Sequence, residues 1–125
     1  MRTRSAILAA AALVGAAVSA FAGAQGEPDQ DCGASTPEMV ECLNVKTAEW
    51  DKRLNAAYAK ALKEVETKQR ESLRAAQRLW VQYRDANCLY YSLGEGSIAR
   101  VEAAGCMLRM TKARALELEG KEDRD

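Results

Sequence analysis

The residues best suited to chemistry in this chain are its four cysteines: Cys32, Cys42, Cys88 and Cys106. Thiols either pair as disulfides or hold a metal. The sequence contains no histidine, and the cysteine spacings match no zinc pattern. An even number of cysteines in so short a chain therefore points to two disulfides. Their connectivity is open from spacing alone. Cys32 precedes a helical pattern that holds Cys42, so a local staple is feasible; Cys88 and Cys106 flank a glycine-rich turn; Cys42–Cys88 with Cys32–Cys106 is the main rival. Catalysis has little to stand on. There is no histidine base, Gly-x-Ser-x-Gly elbow, phosphate loop or metal motif, and the carboxylates scatter over solvent-facing helix positions rather than forming a glycosidase-like pair. The expectation is a protein without catalytic residues, metal or cofactor.

The N-terminus explains why disulfides are expected. Arg2 and Arg4 precede an apolar run from Ala6 to Val18, and small residues follow at Ala20, Ala22 and Ala24. That order is the signature of a secretory signal over residues 1–24, too short for a membrane anchor. No cysteine stands at the end of the apolar run to carry a lipid, so the product is expected in the periplasm or secreted, with no membrane anchor after cleavage. The whole chain has 18 basic and 18 acidic residues; the signal removes two arginines and no acid, leaving a formal charge of −2. That balance, with no basic tract, argues against a nucleic-acid partner.

The exported part has the size of one domain. Residues 25–35 are rich in Gly, Pro, Asp and Gln and are expected to form a flexible leader. Thr36-Pro37-Glu38 is a helix start, with Thr36 as the expected N-cap, and apolar residues recur three and four apart from Met39 to Val65. The polar segment 66–70 marks a change of direction. A second pattern runs through Leu73, Ala76, Trp80, Cys88 and Tyr91 to Gly94-Glu95-Gly96; a third, capped by Ser97, runs from Ile98 to Leu118. Residues 120–125 form a charged tail. The fold class is all-α: a small disulfide-stapled bundle of three helices, a long antiparallel hairpin plus a third helix, with a domain spanning 36–119. A short connection makes the first two helices antiparallel. Centring the turn between residues 67 and 68 sets Asp51 opposite Arg84, Asn55 opposite Trp80 and Tyr58 opposite Gln77. Asp51 and Arg84 are then read as an interhelical polar pair, and Trp80 and Tyr58 as core residues.

These residues also carry a resemblance. Asp51-x-x-Leu54-Asn55-x-x-Tyr58, Leu73-x-x-Ala76-Gln77-Arg78-x-Trp80, Tyr83-Arg84-Asp85-x-x-Cys88, the turn Gly94-x-Gly96-Ser97, Cys106 and Thr111-x-x-Arg114 resemble the LprI-like lysozyme-inhibitor family, from about Cys32 to Leu118. Glu95 breaks the Gly-Gly-Ser that many members carry at the turn. The resemblance implies the sequential disulfides Cys32–Cys42 and Cys88–Cys106. It also implies an exported, non-enzymatic protein whose partner is lysozyme, protecting peptidoglycan by occluding that enzyme. The candidate partner-binding loop is the turn from Ser92 to Arg100, above all Gly94, Glu95, Gly96, Ser97 and Arg100: its glycines allow close backbone approach, and a Cys88–Cys106 bridge would brace it. The competing reading is a cell-envelope interaction module with a different partner.

Overall fold

The computed structural model describes residues 32–121, so the expected signal segment, most of the expected leader and the end of the charged tail lie outside the described residues. Three helices are present: α1 (Thr36–Glu64), α2 (Thr67–Ser92) and α3 (Ile98–Leu118), with no strand among the described residues.

The start of α1 is set one residue earlier than expected. Ser35, not Thr36, is the N-cap: its hydroxyl accepts from the Glu38 amide at 3.4 Å, and the Glu38 carboxylate accepts from the Ser35 amide at 3.0 Å. This reciprocal box satisfies two backbone donors that the first helical turn leaves without partners. The Ser35 hydroxyl and amide hold the Glu38 carboxyl below its ordinary range. Gly33 makes the approach possible. It sits at φ +61°, and a Cβ there would lie 2.8 Å from the Glu38 Cβ. The last part of the leader is thus pinned: Cys32 is bonded to Cys42, with Cα atoms 5.4 Å apart, and is buried.

The first turn is tighter than the polar run 66–70 suggested. Val65 and Glu66 are extended, and α2 restarts at Thr67. The residues from Thr67 to Gln69 are exposed because the tip of a hairpin has nothing to bury against, so an absence of apolar residues there marks solvent rather than a loop. Arg70 closes the tip. Its guanidinium donates to the carbonyls of Leu62 at 2.7 Å and Val65 at 3.1 Å, which the end of α1 leaves without helical donors.

The core is organised around α3. It buries Ala99, Val101, Ala104, Gly105, Cys106, Leu108, Thr111 and Ala115, whereas α1 buries Leu43, Leu54 and Ala57, and α2 buries Cys88 alone. Small residues along α3 let both neighbours come close, so α3 packs on α1 and on α2 while those two approach each other far less. The main cluster joins Cys32 and Leu43 to Val101, Ala104 and Leu108, with Met39, Val40 and Trp50 packed on it. The run is up, down, up: α3 is parallel to α1, shown by Thr36 beside Ser97 and Arg53 beside Glu119. Helix α2 is antiparallel to both.

Of the expected α1–α2 pairs, Asp51 reaches Arg84 at 3.9 Å, and Tyr58 and Gln77 line one shallow groove. Asn55 and Trp80 find partners along their own helices instead. The Asn55 amide donates to Asp51 at 3.3 Å, and Trp80 lies under the Arg84 guanidinium at 5.2 Å from its ring centre. Trp80 and Tyr58 are half-buried rather than fully enclosed, as the loose α1–α2 contact requires.

Candidate functional site

Three groups of residues hold the chemistry of this surface: a polar seam, a braced turn and the groove between them. The seam begins at Arg84, whose side chain is 13% exposed. It donates to Asp85 at 2.9–3.0 Å on its own helix, to the Thr111 hydroxyl on α3 at 3.3 Å, and faces Asp51 of α1 at 3.9 Å. One guanidinium therefore touches all three helices. One helical step along, Arg114 of α3 donates to Gln77 of α2 at 3.0 Å and pairs with Glu117 at 2.6 Å. Asp51 had been expected as the main partner of Arg84. Thr111 and Asp85 are closer, and Thr111, fully buried, depends on the contact more.

A second ion pair joins the end of α3 to α1. Arg53 grips Glu119 with two hydrogen bonds, at 2.5 and 2.6 Å, and Lys121 adds a contact at 3.2 Å. Arg53 and Lys112 also flank the Trp50 ring at 4.5 and 5.4 Å from its centre. The hydrogen bonds from Arg53 hold the Glu119 carboxyl down at about 2 against an ordinary 4.5. A depressed carboxylate contributes stability above its unfolded pKa and loses it as pH falls through the folded value. Comparing urea melts of the parent and Glu119→Gln should therefore show a stability gap at pH 6 that closes between about pH 4.5 and pH 2. A gap of constant size across that range would show that the pair is not coupled to folding.

The turn between α2 and α3 contains Gly94, Glu95, Gly96 and Ser97. Helix α2 ends at Ser92, and Gly96, at φ +74°, makes the left-handed step that sends the chain into α3. Ser97 occupies the N-cap position, but its backbone is helical and its hydroxyl makes no capping bond; instead it accepts from the Thr36 hydroxyl at 3.5 Å. This contact links the turn to the start of α1. The Cys88–Cys106 disulfide, with Cα atoms 5.5 Å apart and both residues buried, fixes the helices on either side. Gly94 to Ser97 and Arg100 are all exposed.

Beside the turn, α1, α2 and α3 enclose an open groove of about 640 Å³. Cys88, Ala104 and Met107 give it an apolar lining, with Arg84 and Asp85 at one place and Arg100 at another. It suits a partner that inserts an apolar side chain and sets an acid against Arg100. Among the described residues no helix is long and apolar enough to cross a membrane, and no group of three metal-ligating side chains gathers.

Together these features define a small disulfide-stapled helical scaffold that displays a rigid turn. The chain belongs to the lysozyme inhibitor LprI family, whose model matches residues 29–118. It is also 34% identical over 98 residues to an uncharacterised protein of Rhizobium meliloti (strain 1021), a match covering 72% of this chain and 65% of the relative's length. No solved structure matches. Several of the motif residues meet in space: Asp51, Gln77, Arg84, Thr111 and Arg114 build the seam that aligns the helices. Within the molecule these side chains tie helix to helix.

Proposed function

We propose that this chain is exported, and that it binds lysozyme and inhibits it by occlusion, protecting peptidoglycan. Family membership over residues 29–118 carries the reading. The apolar N-terminus and the two disulfides support export into an oxidising compartment. The contact surface is the turn Ser92 to Arg100 with the groove beside it. A turn tied through Cys88–Cys106 and the Thr36–Ser97 contact loses little freedom on docking, which favours affinity. Arg100 meets the acidic substrate cleft of the enzyme, and Glu95 a cationic rim.

The test is the clearing of suspended cell walls by c-, g- and i-type lysozymes with the oxidised protein in several-fold excess. At least one enzyme should be slowed, and Arg100→Glu should weaken that inhibition by about tenfold or more, the effect of reversing a charge at an interface. Undiminished clearing with all three enzymes would end the inhibitor reading. Full inhibition by the Arg100→Glu variant would move the contact surface elsewhere.

A further inference from the structure

Helix α2 has a second apolar face. It buries only Cys88 within the molecule, yet Leu79, Tyr83, Leu89, Tyr90 and Leu93 are 66%, 62%, 56%, 74% and 76% exposed. With Ala86, four of them fall at 79, 83, 86, 90 and 93, steps of four and three that keep one stripe along a helix. The charged residues of this stretch, Arg78, Arg84 and Asp85, lie about 100° or more around the helix from the stripe centre at about 100° per residue. A helix apolar on two sides and charge-free on its outer side is normally covered on both.

We propose that this face is the interface of a two-fold dimer, occupied by α2 of a second copy running antiparallel. The order of the stripe is Leu79, Tyr83, Ala86, Tyr90, Leu93, which reads the same in both directions about Ala86. Under a two-fold axis at Ala86, each Tyr83 meets a Tyr90 and each Leu79 meets a Leu93. The alanines at the axis let the backbones approach. An isologous contact demands this self-complementarity: every residue must face the mate its own sequence supplies. The four exposed side chains of the stripe present roughly 600 Å² per copy, so a pair would bury roughly 1,200 Å², at the lower end of specific interfaces. The face has no charge to recruit a charged partner and none to repel its own copy.

Sedimentation of the oxidised chain, from low to several hundred micromolar, reads the proposal directly. The mass should rise to twice the monomer's. Ala86→Lys places two like charges at the axis and should weaken association by about 100-fold or more, with parental helix content by circular dichroism. Ala86→Cys should cross-link copies through the new thiol, whereas Glu102→Cys, exposed on α3, should not. A monomeric mass at every concentration would overturn the proposal, whether the stripe is then covered by the chain's own first residues or only by lysozyme. So would a dimer that Ala86→Lys leaves intact, or cross-linking as ready through Glu102→Cys.

Discussion

Removing the Cys88–Cys106 bridge, as the double variant Cys88→Ala/Cys106→Ala, should lower stability by about 3 kcal/mol, the loop-closure value for a separation of 18 residues. For a domain of this size that corresponds to a melting temperature roughly 10–20 °C lower. The Cys32–Cys42 loop, at a separation of 10, gives a similar entropic figure, so loop length does not rank the two bridges. Position does. Helix α2 buries nothing but Cys88, while α1 and α3 share Leu43, Val101, Ala104 and Leu108. Without the bridge, the polar contacts left between α2 and α3 are Arg84 with Thr111, Gln77 with Arg114 and Asn87 with Met110. The loss should thus be local as well as global. Amide exchange should accelerate along α2 well before it does along the α1–α3 pair. Uniform acceleration in all three helices would show that the molecule opens as one unit, and an unchanged melt would mean that the bridge constrains little.

The uneven packing also marks which parts of the fold were legible beforehand. Helix periodicity located all three helices, because apolar residues three and four apart persist without Gly or Pro from Met39 to Val65, and from Ile98 to Leu118 with Gly105 as the sole interruption. Boundaries were less legible where polar residues serve the helix itself. Ser35 could be exchanged for Thr36 as a cap because both can do the work, and only the Glu38 side chain, reaching back to Ser35, separates them. The polar first turn of α2 resembled a loop because that turn projects beyond any neighbour. The Asp51–Arg84 alignment followed from simple antiparallel counting, and their atoms lie 3.9 Å apart. The central role of α3 did not follow. Counting pairs the first two helices by the shortness of their connection, but helices pack where small residues let them, and Ala104, Gly105 and Ala115 lie on α3. Arg53 with Glu119 was illegible for the same reason. Their contact spans 66 positions and depends on α3 being parallel to α1, which no local pattern announces.

Replacing Arg84 with methionine should cost about 1–3 kcal/mol, and the source of the loss is specific. Methionine keeps much of the stem's packing, so the variant isolates the guanidinium. That group lies over Trp80 at 5.2 Å, bonds Asp85 at 2.9–3.0 Å and the buried Thr111 hydroxyl at 3.3 Å, and faces Asp51 at 3.9 Å. Asp51 and Asp85 are 50% and 56% exposed, so water takes over when the arginine leaves, and neither carboxylate adds much to the loss. Thr111 has no water within reach at 0% exposure and loses a donor. A double-mutant cycle separates these cases. Arg84→Met combined with Thr111→Val removes both partners and should lose about 1 kcal/mol less than the two single changes added together. Combined with Asp51→Asn, the losses should add to within about 0.5 kcal/mol. The reverse ranking, with strong coupling to Asp51 and none to Thr111, would show that the charge pair between α1 and α2 holds the seam. Helix α3 would then be a bystander to it rather than its anchor.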